Sequence, residues 1–194
     1  MRIPLLFICI FLAGIVLVSC NRPIESKASL TKYLNDSTHG LTQSHEINKI
    51  KAAVTYMPWE VIASRTRERN KTSIKVLQSK YYFVLALSAN GKEVLRQLPF
   101  NQYSEMVQVL AFRLRPYVSI VRDDGKVIEA EDCLFQQTYG MAKENEVLLV
   151  FNRSELTNTN AMDLKIKEFG LNTGNLDYKI NTKDISNIPN IAIN

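Results

Sequence analysis

The feature that most constrains the fold of this 194-residue chain is a pair of alternating apolar and polar segments near its C-terminal end. The apolar members are Met162, Leu164 and Ile166 in the first segment and Leu176, Tyr178 and Ile180 in the second. A glycine loop from Gly170 to Gly174 separates the two segments. Because successive side chains of a strand point to opposite faces, this pattern predicts a hairpin of two half-buried β-strands.

Similar signals recur through the middle of the chain and predict further strands. The candidate strands cover residues 47–57, 74–88, 93–95, 117–122, 126–128, 133–139 and 147–151. Between them, apolar residues from Tyr103 to Leu114 recur at three- and four-residue spacing, which predicts one helix that ends before Pro116. Asn90-Gly91 and Asp123-Asp124-Gly125 are turn signals between successive strands.

Short strands separated by turn signals are typical of antiparallel all-β folds. Apolar residues make up 46% of the chain and charged residues 22%, an ordinary globular composition that excludes disorder along the whole chain. We predict a mainly β fold for residues 45–194, an antiparallel β-sandwich of immunoglobulin-like or transthyretin-like kind, with about eight strands and one helix.

The N-terminal segment has the layout of an export signal. Arg2 is followed by an uncharged apolar run that ends in Leu17-Val18-Ser19-Cys20. This ending resembles the lipobox of bacterial lipoproteins, which implies that residues 1–19 are a cleaved signal peptide and that Cys20 is lipidated, with palmitate among the expected acyl groups. The alternative is an uncleaved transmembrane anchor, since the run just reaches the length that spans a bilayer.

Residues 20–44 are rich in polar side chains, and we predict that they form a lipidated N-terminus followed by a flexible tether. Within this segment, Asp36-Ser37-Thr38 is similar to the O-glycosylation sequon of Bacteroidota, which implies a sugar on Ser37. Removal of Cys9 with the signal and lipidation of Cys20 leave Cys133 as the one thiol, so an internal disulfide is not expected.

The sequence offers little catalytic chemistry. The two histidines, His39 and His45, lie in or beside the predicted tether, where nothing in the pattern holds a general base in place. Cys133 lies in a strand pattern and is interpreted as a buried apolar residue rather than a nucleophile. The acidic residues between Asp123 and Asp132 are interpreted as a turn and a solvated loop rather than a calcium site. We expect no catalytic residues, no metal and no cofactor.

The charges are unevenly distributed. Residues 60–115 contain ten basic and four acidic side chains, whereas residues 116–194 contain eight and twelve. The basic part holds an alternating set, Arg65, Arg67, Arg69 and Lys71, whose side chains would project from one edge of an extended chain. This set predicts contact with an envelope protein or an anionic envelope polymer, and a solvated loop is the alternative. Nucleic acid is not an expected partner after export.

These observations favour a membrane-anchored lipoprotein of the cell envelope that acts as a non-enzymatic binding or assembly component. The alternative is an envelope hydrolase that uses carboxylates on a glycan or peptide. By resemblance to enterobacterial lipoproteins, Asn21 after the lipidated cysteine favours the cell outer membrane. One acid among residues 21–25 favours its periplasmic side over the cell surface, and in a Gram-positive cell the anchor would lie in the plasma membrane.

Overall fold

The computed structural model describes residues 23–66 and 70–192. The signal segment, Cys20, Arg67 and Arg69 lie outside these residues. The described chain is mainly β, as predicted, and its strands pair only in antiparallel fashion within two sheets. Ten strands are described: β1 (Thr42–Ile47), β2 (Ile50–Met57), β3 (Lys80–Ala89), β4 (Lys92–Glu93), β5 (Val118–Arg122), β6 (Val127–Glu129), β7 (Asp132–Phe135), β8 (Asn145–Asn152), β9 (Ala161–Ile166) and β10 (Leu176–Asn181).

The larger sheet has the order β1-β2-β3-β8-β7, with β4 paired to β3, and the smaller sheet has the order β10-β9-β5-β6. The predicted C-terminal hairpin is confirmed, since Leu176 pairs with Ile166 and Tyr178 with Leu164. The long connection from β4 to β5 crosses from the larger sheet to the smaller one.

Alternate residues of the two sheets contribute to one hydrophobic core. The buried positions include Val54 on β2, Phe83 and Leu85 on β3, Leu149 on β8, Ile120 on β5, and Leu164 and Tyr178 on β9 and β10. The Tyr178 hydroxyl donates a 3.0 Å hydrogen bond to the Ala52 carbonyl, which links β10 of the smaller sheet to β2 of the larger one. The period-2 pattern in the sequence therefore identified the core-facing side chains correctly.

Five α-helices lie among the described residues: α1 (Lys27–Asn35), α2 (Trp59–Thr66), α3 (Lys71–Gln78), α4 (Phe100–Gln108) and α5 (Thr182–Ser186). Helix α4 continues as a short π-helix over Val109–Arg113, so the predicted helical segment over 101–114 is confirmed. Helices α1, α2 and α3 contact β2 and β3 of the larger sheet. Residues of α1 and α2 lie with Val84 and Ala86 on the face opposite to Phe83 and Leu85, here called the outer face. Tyr82 and Val84 of this outer face are buried.

The prediction of about eight strands and one helix therefore differs from the structure in both counts. Residues Ile74–Gln78, assigned to a strand by their apolar content, belong to α3. Asn70 caps this helix by accepting a 2.8 Å hydrogen bond from the Thr72 amide, and Ile74 and Leu77 are half-buried one turn apart. A cap followed by an i, i+3 apolar pair favours a helix over a strand.

The predicted tether is largely part of the folded domain. Ser26 caps α1 by accepting from the Ser29 amide, and Leu30, Leu34 and Leu41 are buried in the core. Ile24 forms a parallel bridge with Ile191, near the other end of the chain. The few apolar residues of this segment lie on one side and pack against the domain, while the polar residues between them face solvent. The described domain therefore includes residues before 45.

The loop between β9 and β10 is organised by Glu168. Its carboxylate accepts hydrogen bonds from the amides of Gly170, Leu171 and Asn172 at 2.7, 2.7 and 3.0 Å, and also from the Gly174 amide. Gly170 has a φ of +118°, a backbone conformation that residues with a side chain rarely adopt, so glycine is favoured at this turn. Burial raises the pKa of Glu168, but the amide hydrogen bonds outweigh it and lower the pKa overall.

Replacement of Glu168 by Gln should reduce the free energy of unfolding by about 1–3 kcal/mol at pH 7, because a neutral amide replaces the charged acceptor of four loop amides. A carboxylate with a lowered folded pKa contributes stability above its unfolded pKa and loses it as the pH falls through the folded value. The difference between wild type and variant should therefore shrink below about pH 4.3. Urea unfolding at a series of pH values measures this difference, with the exposed Glu155→Gln as the matched control. A pH-independent offset between wild type and Glu168→Gln would contradict this role.

Candidate functional site

A groove of ≈ 620 Å³ lies on the outer face of the larger sheet and is here called the sheet groove. Its floor is formed by β1, β2, β3 and β8, and its walls by α1, the turn after α1 and the end of α2. The floor side chains are mainly small or hydroxylated, namely Thr42, Ser44, Ala53, Thr55 and Ala86. The helices cover the face on either side and leave this strip open.

The depth of the sheet groove follows from the strand register. Ser44 pairs with Ala53, Ala53 with Ala86, and Ala86 with Glu146, so one row across four strands has small side chains until it reaches Glu146. In the neighbouring row, the Thr42 and Thr55 hydroxyls hydrogen-bond to each other at 2.9 Å. Each residue is unremarkable in its own strand pattern, and the concave floor arises only when the rows align.

Four charged side chains line the sheet groove. Lys51 and Arg65 lie on the β2 and α2 side, and Glu144 and Glu146 lie on the β8 side, two strands away or about 10 Å across the sheet. In the part of the chain that the structure describes, the ion pairs are Lys80–Glu131, Arg122–Asp124 and Lys165–Asp177. None of the four groove charges belongs to these pairs. The groove thus offers opposite charges along its two sides.

A second cavity, of ≈ 330 Å³, lies where the end of β2, the start of β3 and the end of β8 meet the C-terminal segment. We call it the end cavity. Its walls include Tyr56, Trp59 and Tyr81, together with Glu60 at the start of α2 and Arg153 just after β8. The segment from Ile188 to Ile191 forms part of its rim. The Ile24 amide holds this rim through a 2.8 Å hydrogen bond to the Asn190 carbonyl.

Of the four residues of the predicted basic stripe, the structure describes Arg65 and Lys71, and they lie on different helices. Arg65 is exposed in the last turn of α2 and lines the sheet groove, whereas Lys71 is the exposed first residue of α3 and does not. Arg67 and Arg69 lie outside the described residues. The extended chain on which the stripe was predicted is therefore incorrect at both of its ends, because the local sequence forms two helices there.

Ser37 lies in a short 3-10 turn, Ser37–His39, after α1. Its side chain is exposed and belongs to the wall of the sheet groove. The Asp36 carboxylate accepts from the Thr38 amide at 2.9 Å and from the Thr38 hydroxyl at 2.6 Å, so both flanking side chains of the predicted sequon are engaged with each other. Glycosylation of Ser37 stays a prediction, at a position where the hydroxyl is accessible.

Both histidines are held in place, contrary to expectation. The His39 ring stacks on Tyr33 with ring centroids 3.7 Å apart, and its Nδ1 lies 2.8 Å from the Tyr33 carbonyl. His45 Nε2 lies 2.9 Å from the Asp177 carbonyl of β10. These contacts fix β1 and the preceding turn against the rest of the domain. Sequence reasoning missed them because it assigned residues before 45 to a tether.

Cys133 is a free, buried thiol, as interpreted from the sequence. Burial raises its pKa to about 12, so it stays protonated at neutral pH. Over residues 23–66 and 70–192, no cluster of three or more His, Cys, Asp or Glu side chains has the arrangement of a metal site. Within the acidic stretch, Asp123 accepts from the Thr159 hydroxyl and the Asn160 amide, which makes it a loop anchor.

Sequence analysis did not identify Lys51, Glu144 and Glu146 as groove residues or Glu60 and Arg153 as residues of one cavity. Lys51 and Glu146 occupy the polar positions of alternating strands, where a charged side chain is ordinarily solvated. Glu60 and Arg153 are separated by about half of the chain and carry no spacing signal. Trp59 gave the one usable hint, since it is the single tryptophan of the chain and lies partly exposed at a helix start.

Among the described helices, none has the length and apolar character needed to cross a membrane. Comparison with known protein families, with curated proteins and with solved structures gave no match to this chain.

Proposed function

We propose that this protein is a lipid-anchored, non-enzymatic binding component of the bacterial cell envelope, and that the sheet groove receives a segment of a partner protein. The observation that carries the proposal is the groove itself, ≈ 620 Å³ in volume and lined by hydroxyl groups and by charges of both signs. Arg65, predicted from the sequence as a contact residue, lies in its wall.

The mixed charge favours a polypeptide over an anionic polymer. A uniformly anionic chain would meet Lys51 and Arg65 on one side but would be repelled by Glu144 and Glu146 on the other. A protein segment carries charges of both signs, and its backbone amides and carbonyls match the hydroxyl groups of Thr42, Ser44 and Thr55. Of the two partner classes predicted, the envelope protein is therefore the one we propose.

We further propose that the two sheets pack face to face as a sandwich, of the immunoglobulin-like or transthyretin-like kind predicted from the sequence. Support comes from the shared core and from the Tyr178 hydroxyl, which reaches the Ala52 carbonyl of the other sheet. In this arrangement the core-facing side of the larger sheet is covered by the smaller sheet. The outer side, with the sheet groove, stays available to a partner.

The anchoring proposal rests on the sequence from Leu17 to Cys20 and places the domain close to the membrane. Ile24, which is bridged to Ile191, follows Cys20 by four residues. Even a fully extended chain of that length spans no more than about 14 Å. A lipid on Cys20 would hold this end of the domain near the bilayer, which we propose to be the periplasmic leaflet of the outer membrane, or the plasma membrane of a Gram-positive cell.

The hydrolase alternative requires a carboxylate pair in which one member is a proton donor with a raised pKa. Glu144 and Glu146 both line the sheet groove and are the candidate pair. Burial raises the pKa of Glu60 and favours its neutral form, but this residue lies in the end cavity rather than in the sheet groove. The pair and the proton donor therefore belong to different cavities, and this separation supports binding over hydrolysis.

Site-specific photocrosslinking in cells of the native host tests the groove proposal. A benzophenone amino acid at the exposed positions Thr31 and Ser44 should give one adduct of defined mass, because both positions line the groove. The same probe at Val127, exposed on the smaller sheet, should not give that adduct. Arg65→Ser should reduce the adduct yield about two- to fivefold at physiological salt, as expected for loss of one charge at an exposed interface.

Lys71→Ser is the matched control, since it removes an exposed cation that does not line the groove. Equal loss of adduct in the Arg65 and Lys71 variants would show that net charge, rather than the groove, governs the contact. Equal adducts from Val127 and Ser44 would contradict the groove as the binding face.

A further inference from the structure

The end cavity contains two opposite charges that do not pair with each other. Glu60 and Arg153 both belong to its wall, but the ion pairs within 4.0 Å in the described residues include neither of them. Partly buried charges without a counter-charge are unfavourable unless other groups or a ligand stabilise them. The groups around Arg153 and around Glu60 show which kind of ligand group each side chain could bind.

The Arg153 guanidinium is fixed in place on one side only. It lies over the Tyr81 ring, 4.7 Å from the ring centroid, and its Nη1 donates a 3.3 Å hydrogen bond to the Gln78 carbonyl. The Arg153 amide also donates to the Ser79 carbonyl at 2.9 Å, which anchors the backbone. A guanidinium has five N–H donors in a planar fork, so most of them stay available to an anion in the cavity.

Glu60 is half-buried at the start of α2. Burial raises the pKa of its carboxyl group, whereas a hydrogen bond from its own amide and the charge of Arg153 lower it by smaller amounts. Its ionised form is thus incompletely compensated in the free protein. An ammonium group in the cavity would supply the missing counter-charge, and the adjacent Trp59 ring offers an aromatic surface that favours a cation.

We propose that the end cavity binds a small zwitterion, with its oxyanion on Arg153 and its ammonium group between Glu60 and Trp59. The volume of ≈ 330 Å³ suits a small molecule or a headgroup rather than a polymer. This site is separate from the sheet groove and does not depend on the function proposed for the groove. Its rim, Ile188–Ile191, is bridged to Ile24, which follows the predicted lipid anchor at Cys20 by four positions. The cavity would therefore lie near the membrane, where both a free amino-phosphate and a lipid headgroup are candidate ligands.

Trp59 is the only tryptophan in the chain and lines the cavity, so its fluorescence reports on occupancy directly. The full chain in nonionic detergent would be titrated with O-phosphoethanolamine, and separately with ethanolamine and with inorganic phosphate. We expect a saturable change in Trp59 emission with O-phosphoethanolamine. Ethanolamine and inorganic phosphate, which each carry charge of one sign only, should bind at least tenfold more weakly.

Two variants test which protein charge binds each charged group of the ligand. Glu60→Gln should weaken O-phosphoethanolamine binding at least tenfold while leaving phosphate binding unchanged, and Arg153→Gln should abolish phosphate binding. Glu46→Gln and Arg113→Gln, which change exposed charges outside the cavity, are the matched controls. Should Arg153→Gln fail to fold, Glu60→Gln together with the selectivity among the three probes decides the question.

A final arm distinguishes the two sources of the zwitterion. Addition of phosphatidylethanolamine to the micelles should reproduce the Trp59 change if the ligand is a lipid headgroup. The same change from O-phosphoethanolamine alone, with no response to the lipid, assigns a free small molecule. Absence of a saturable response to both, or equal zwitterion affinity in wild type and Glu60→Gln, would overturn the proposal.

Discussion

Replacement of Leu164 by Asp should unfold the domain or leave it barely stable. Leu164 is fully buried on β9, between Ile120 of β5 and Tyr178 of β10, and both of these neighbours are fully buried as well. Truncation of a buried leucine alone destabilises a protein by about 2–5 kcal/mol. An aspartate adds the penalty for a buried carboxylate without a partner. Because domains of this size are stable by about 5–15 kcal/mol, a loss of at least 4 kcal/mol, on the order of the upper range for leucine truncation, removes most of the margin.

Lys165→Asp is the control on the same strand, one residue away. The Lys165 side chain is 42% exposed and pairs with Asp177 at 2.9 Å on the solvent side of the hairpin. The substitution replaces this exposed ion pair by two like charges on neighbouring strands, which reduces stability by about 2 kcal/mol or less. Chemical denaturation followed by circular dichroism measures both variants. Similar midpoints for Leu164→Asp and Lys165→Asp would mean that the inward face of β9 is assigned to the wrong side.

Replacement of Cys20 by Ala should abolish fatty-acid labelling of the protein and leave the precursor uncleaved. The expectation comes from the resemblance of Leu17-Val18-Ser19-Cys20 to a lipobox, since the signal peptidase of that family acts only on the lipidated cysteine. Labelling with an alkyne fatty acid and gel mobility are the suitable measurements. Membrane fractionation is not, because the uncleaved precursor keeps its apolar segment and stays with the membrane.

Cys133→Ala is the matched control for this experiment. Cys133 is the buried thiol of the domain, so its loss should leave labelling and cleavage unchanged. Fatty-acid label that persists in Cys20→Ala, or that is lost in Cys133→Ala, would contradict lipidation at Cys20. A wild-type chain that is neither labelled nor cleaved would favour the uncleaved transmembrane anchor.

Local patterns were sufficient wherever one face of an element is buried along its whole length. The alternation around Leu164 and Tyr178 predicted β9, β10 and their pairing as a hairpin, and the three- and four-residue spacing from Tyr103 to Leu114 predicted α4. In both cases the burial of a side chain is determined by its position in a short repeat. Such positions can be inferred without knowledge of what the element packs against.

Local patterns failed where a few apolar residues in a polar context dock onto a distant surface. Leu30, Leu34 and Leu41 are too sparse to predict a packed segment by themselves, yet all three are buried against the rest of the domain. The same holds for Ile74 and Leu77, whose apolar run resembled a strand until the Asn70 cap and the covered sheet face favoured a helix. Their conformation depends on the partner surface, which only the folded chain provides.

The sequence by itself determined the inward faces of the strands, the helix that becomes α4, and a lipobox-like segment that ends at Cys20. The tertiary structure alone decided which polar side chains share a cavity. The sheet groove is lined by Lys51, Arg65 and Glu146 because β2, α2 and β8 border one strip of the larger sheet. The end cavity is lined by both Glu60 and Arg153 because the chain returns to the end of β2 almost a hundred residues after Glu60. The periodicity of a sequence shows the face to which a side chain points. A site depends on the distances between side chains of different elements, and strand order and packing determine those distances.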